Sequence, residues 1–126
     1  MMSRAEKAVE FKRRNNCCQA VLLALADILP LDEKTLCQIG SGFGSGMGCM
    51  EATCGALCGA GMAAGLLNKT GKPSAMLTRV ILKDFESRCG ATICKDLKGI
   101  STGKVLCSCD DCVRNAVLAL ESTLGL

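Results

Sequence analysis

A chain of 126 residues that is 49 % apolar has the material for one hydrophobic core. Its net charge of +3, three Phe, no Trp and no Tyr are not the signature of a nucleic-acid binder, which needs a basic face or aromatic platforms for bases. The absence of His excludes His-ligated haem, Cys–His nucleophiles and mixed Cys/His zinc sites, and leaves 11 cysteines as the conspicuous chemical resource.

The first segment, "MMSRAEKAVEFKRRNN", is charged and amphipathic with no apolar signal core. A cytoplasmic protein is the expectation, and in that compartment cysteine-rich chains bind metal or do redox work more often than they form structural disulfides. The odd cysteine count also speaks against a fully paired disulfide framework. Ser3, with Glu6 three residues on, predicts a capping box and a helix from there to about Leu29, ended by Pro30. Cys17, Val21, Ala24 and Ile28 form one apolar stripe, which puts Cys17 in mid-helix, and Cys18, Leu22, Leu25 and Leu29 form the next.

Asp32 caps a short helix, Glu33 to about Ile39. The run "GSGFGSGMGC" then alternates glycine too densely for helix or strand and predicts a loop whose backbone can approach something closely. It lacks the G-K-[ST] of a phosphate-binding loop and any preceding strand, so nucleotide binding is a poor reading. Thr53 is the expected N-cap of a helix from Cys54 to about Asn68, nearly all small residues and too short to cross a membrane. Pro73 opens a helix to about Arg88, with Met76, Val80 and Phe85 beside Leu77, Ile81 and Leu82 as its buried side. Gly90 ends it. A short turn, Lys95 to Lys98, follows Cys94, and Ser108 or Asp110 caps a last helix to about Leu124 with Val113, Val117, Leu120 and Leu124 inward. The expected fold is all-α: a single domain, residues 1–126, of about five helices around the small-residue central helix, with a Gly-rich loop.

Placed on that map, Cys54, Cys94, Cys109 and Cys112 fall at helix or turn starts, where unpaired N–H groups and the helix dipole stabilise a thiolate or an anionic cluster. "CSCDDC" sets three sulfurs, Cys107, Cys109 and Cys112, within six residues, close enough to converge on one metal. Gly48 and Gly55, flanking Cys49 and Cys54, are the candidate backbone contacts to sulfur or to a cofactor. Cys37 reads as packing, and Cys58 more as packing than as a site.

"NCCQAVLLAL", the glycine run into "CGALCG", "CGATICKDLKG" and "CDDCVRNAV" together resemble the bacterial and archaeal C_GCAxxG_C_C family, whose members are described as redox-active. The resemblance runs from Asn16 to Val117 and implies four characteristic cysteines, here Cys17, Cys54, Cys94 and Cys109, with Cys112 less certain. Cys18, Cys37, Cys49, Cys58, Cys89 and Cys107 then look like additions of this chain.

The leading expectation is an iron–sulfur or related metal centre on Cys17, Cys54, Cys94, Cys109 and Cys112, passing electrons to a protein redox partner. The alternative is thiol–disulfide exchange, with Cys109 and Cys112, or Cys54 and Cys94, as the dithiol. A structural zinc site made of four cysteines is the third reading. Haem, nucleic acid and membrane insertion are not expected.

Overall fold

Ser3 accepts a hydrogen bond from the Glu6 N–H at 3.2 Å and so starts helix α1, Arg4–Lys12. The reciprocal half of the expected capping box is missing: the Glu6 carboxylate instead takes Arg114 Nε at 2.7 Å. The coordinates are a computed structural model, which describes residues 2–126. Its helices are α1, α2 (Cys17–Ala24), α3 (Glu33–Gly40), α4 (Gly55–Leu67), α5 (Ala75–Cys89), α6 (Cys94–Lys98) and α7 (Cys109–Leu124), with an irregular turn at Gly46–Met50. The described residues form an all-helical structure with no strand, only an isolated pairing of Thr53 with Ile93.

Among the described residues, seven α-helices stand where about five helices were expected. The single N-terminal helix is two, because Asn16 starts α2 with a complete capping box. Its side chain accepts from Gln19 N–H at 2.8 Å, and Gln19 Oε1 accepts from Asn16 N–H at 3.0 Å. The same Asn16 amide donates to the carbonyls of Gly40 and Ser41, locking the end of α3 to the start of α2. The segment after Cys94, expected as a turn, closes into α6.

The core is one cluster of buried aliphatic side chains, with Phe85 its largest member. α2 packs on α1, α3, α4 and α7; α4 packs on α2, α5 and α7. The expected inner face of α7 is buried at Val113, Val117 and Leu120. α5 departs from expectation. It is covered only by α4 and α7, and its buried stripe runs through Ile81, Phe85 and Cys89. Met76 and Val80 lie about 140° and 100° round the helix from Ile81 and are exposed, at 62 % and 53 %.

Candidate functional site

Tertiary pairing brings two helix starts together. Cys54 N–H donates to Thr92 O at 2.7 Å and Cys94 N–H to Ala52 O at 3.1 Å, so the residues entering α4 lie antiparallel to those entering α6. The expected N-cap, Thr53, is used in this pairing. Cys54 stands in the cap position instead, with φ −49° and ψ 130°. The capping box at Asn16 makes Cys17 the first residue of α2 and not a mid-helix residue. Cys94 opens α6 and Cys109 opens α7, the latter capped by Ser108, which accepts from Asp111 N–H at 3.1 Å. Each of the four cysteines therefore sits at a different helix N-terminus.

Cys54 is the centre of this end of the molecule. The thiols of Cys112 and Cys17 lie against its sulfur, and the N–H groups of Ala56 and Leu57 in the first turn of α4 also face it. These neighbours hold Cys54 far below the ordinary thiol range in spite of burial. The two neighbouring thiols are pushed the other way: Cys112 by its neighbours Cys54 and Cys89, Cys17 by Cys54 and then by burial, partly offset by the Ser45 N–H. The glycine loop thus reaches a sulfur through its backbone, at Ser45 and Cys17. Gly55 makes the approach of Cys17 to Cys54 feasible, since a Cβ there would lie 2.5 Å from Cys17 Sγ and 2.4 Å from Phe43 O. Gly46, at φ +59°, likewise has room for no Cβ: Cys94 Cβ would be 2.7 Å away. Gly48 has φ +80° and open space around it.

Cys94 and Cys109 adjoin the amine of Lys98, one helical turn beyond Cys94. Burial lowers the affinity of Lys98 for its proton, but Cys109 and Cys94 outweigh that and raise it. Cys94 itself is raised, by burial first and partly offset by Lys98. Lys98 and Cys17 also lie near enough for their charges to interact.

A second group of sulfurs adjoins the first. Cys89 at the end of α5, Cys107 before α7 and Cys112 in the first turns of α7 are buried, with their sulfurs all within 4.8 Å of one another. Among the described residues this is the only set of three potential metal ligands so close. Asn115 Nδ2 donates to Cys89 Sγ at 3.4 Å and to Cys107 Sγ at 4.0 Å. The neighbouring thiol of Cys112, then the Asn115 amide and the Cys107 thiol, hold Cys89 down, to about 6, while burial and Cys89 push Cys107 up to about 12.

The residues singled out from sequence are thus distributed as follows. Cys17, Cys54 and Cys112 are in mutual contact through Cys54; Cys94 and Cys109 meet at Lys98; Cys112 alone also belongs to the close triad. Within "CSCDDC", Cys107 and Cys112 turn inward together while Cys109 turns to Lys98. Sequence reasoning set Cys89 aside as an addition of this chain and missed Asn115 and Lys98. Asn115 and Lys98 were legible in principle, one turn from Cys112 and Cys94, whereas the arrival of Cys89 depends on how α5 packs. The remaining cysteines join neither group by direct contact, although Cys18 and Cys58 lie near enough to Cys54 to feel its charge. Cys18 is fully buried beside Met62 Sδ at 3.9 Å, with burial raising it to about 12. Cys58 is half-buried against Thr53 O, Cys37 is half-buried against Asn15, and Cys49 is exposed.

Fold and site together define a cysteine-rich all-α protein with thiols gathered at one end. Residues 15–123 match the family model described as "Putative redox-active protein (C_GCAxxG_C_C)", and the chain belongs to that family. No curated protein and no solved structure matches it. None of the described helices is long and apolar enough to cross a membrane.

Proposed function

We propose that the protein is an electron carrier whose redox centre is an iron–sulfur cluster held by Cys17, Cys54, Cys94 and Cys109. The observation that carries this reading is that these four cysteines, from four separated stretches of sequence, each stand at the start of a different helix and are linked by close approach, Cys17 to Cys54 and Cys94 to both Cys54 and Cys109. Helix starts supply the N–H donors and positive dipole ends that an anionic cluster needs. No three of the four fall within 4.8 Å of one another, a spacing that favours a group several atoms across over a single zinc ion. Bound there, the cluster supplies one-electron chemistry. The protein's own part is to present thiolates from rigid helix ends, to donate N–H groups from Ser45, Ala56 and Leu57, and to keep water away by burying Cys54 and Cys94. Lys98 offsets part of the negative charge.

Thiol–disulfide exchange is the second reading, and one observation favours it: Cys54, held well below the ordinary thiol range, is flanked by two thiols, Cys17 and Cys112. In that case Cys54 attacks a disulfide partner and Cys17 or Cys112 resolves the mixed disulfide, the protein ending oxidised and the partner reduced. Anaerobic purification with iron, sulfide and zinc measured on one sample separates the readings. Visible absorbance with stoichiometric iron and sulfide, lost in Cys54→Ser, supports the cluster. A colourless sample that resists reconstitution with iron and sulfide overturns it in favour of exchange, and one zinc per colourless chain overturns both.

A further inference from the structure

We propose that Cys89, Cys107 and Cys112 form a second metal site, adjoining the helix-start cysteines where Cys112 meets Cys54, that takes one soft monovalent ion of the copper(I) class on three sulfurs. The proposal goes beyond the reading above and stands without it. A single ion on three sulfurs at a metal–sulfur distance of about 2.3 Å holds them about 4 Å apart in a trigonal arrangement, and these three already lie within 4.8 Å of one another. All are buried, at 4 %, 7 % and 4 % exposure, so little water has to be displaced. They arrive from three elements: the last residue of α5, the loop held to Leu97 O by the Cys107 N–H at 3.3 Å, and the first turns of α7.

Packing alone gives no reason for an amide to face two sulfurs. Asn115 Nδ2 does so, and N–H donors of this kind stabilise thiolates bound to a metal. The donor set decides the ion. All-sulfur sites select copper(I), zinc or iron–sulfur groups. Structural zinc requires a fourth ligand, and no fourth Cys, Asp or Glu of the described residues joins the triad within 4.8 Å. A closed-shell monovalent ion is satisfied by three sulfurs. Binding exchanges thiol protons for the ion: each S–H that becomes a metal–sulfur bond releases one proton to solvent, and no electron moves.

The test is an anaerobic titration of the full chain, purified with whatever iron it carries, using copper(I) buffered by a competing chelator. The expected result is one copper per chain, iron and sulfide unchanged, and an X-ray absorption spectrum fitted by three sulfurs. Cys89→Ser and Cys107→Ser should lose the copper, and Cys109→Ser should keep it. Asn115→Ala should bind about 10- to 100-fold more weakly, the usual effect of losing a donor behind the ligands. If either Ser variant fails to show the helical circular dichroism of the parent, the Asn115→Ala affinity and the absorption spectrum decide. No copper uptake overturns the proposal. So does uptake that survives Cys89→Ser and Cys107→Ser, or uptake that expels iron in step. A sample that resists reconstitution with iron and sulfide but still binds copper on the triad sinks the proposed cluster and leaves this site standing.

Discussion

Cys18 and Cys54 are both deeply buried cysteines, yet the regions around them differ. Cys18 packs among aliphatic side chains, where removal from water, and then the nearby charges of Cys58 and Cys54, make its thiol a weaker acid with no donor to offset them. Cys54 lies in the sulfur end, where two thiols and two backbone N–H groups reverse that penalty. Burial alone therefore says nothing about which cysteine is chemically active; the donors facing the sulfur decide. The body is built from volume and apolar contact, the sulfur end from helix starts and the absence of Cβ atoms.

That contrast predicts that the two regions fail separately. The largest effect is expected from Phe85→Ala, which empties the largest buried side chain of the body. It should cost about 3–5 kcal/mol in urea unfolding, while the folded fraction retains the metal content of the parent. A parallel loss of metal per folded chain would show the two regions to be one unit. Gly55→Ala should cost less, about 1–3 kcal/mol from overpacking, but should remove the visible absorbance or metal, because its methyl group occupies the space of Cys17 Sγ. Retention of the centre in this variant would mean that Cys17 is dispensable. Asn16→Ala should cost about 1 kcal/mol for the lost cap, with loosened exchange protection confined to the start of α2 and the end of α3.

The smallest effect tests the body's surface. Arg4 reaches Asp27 at 3.0 Å and Glu121 at 3.2 Å, and its hydrogen bonds to Asp27 hold that carboxyl below the usual range. A depressed folded pKa contributes stability that is present above the unfolded value, about 3.9, and is lost as pH falls through the folded value. Arg4→Ala should therefore lower stability at pH 7 by at most about 1 kcal/mol, a difference that should shrink in unfolding curves taken at increasingly acid pH. No change in metal content should accompany it.

Much of the body was legible in the sequence. Ser3, Asp32 and Ser108 cap helices where their types and positions predicted, and the apolar stripe of α7 is the buried one. The break between α1 and α2 was also legible in principle, since Asn16 and Gln19 have capping-box spacing. A continuous apolar stripe outweighed it, although a stripe constrains which side is buried and not whether the helix is unbroken. Met76 and Val80 were misplaced for a related reason: α5 has apolar residues over a wide arc, and only the positions of α4 and α7 decide which part is covered.

The sequence by itself determined the all-helical class, the supply of 11 cysteines with no His, and membership of the C_GCAxxG_C_C family. Those follow from local propensity and from which atoms are present. The tertiary structure decided which sulfurs are neighbours. It set Cys89 and Cys107 beside Cys112, drew Thr53 away from its cap to pair with Ile93, and turned Cys109 toward Lys98. Such proximities between residues far apart in sequence arise from how helices pack, and no local spacing encodes them.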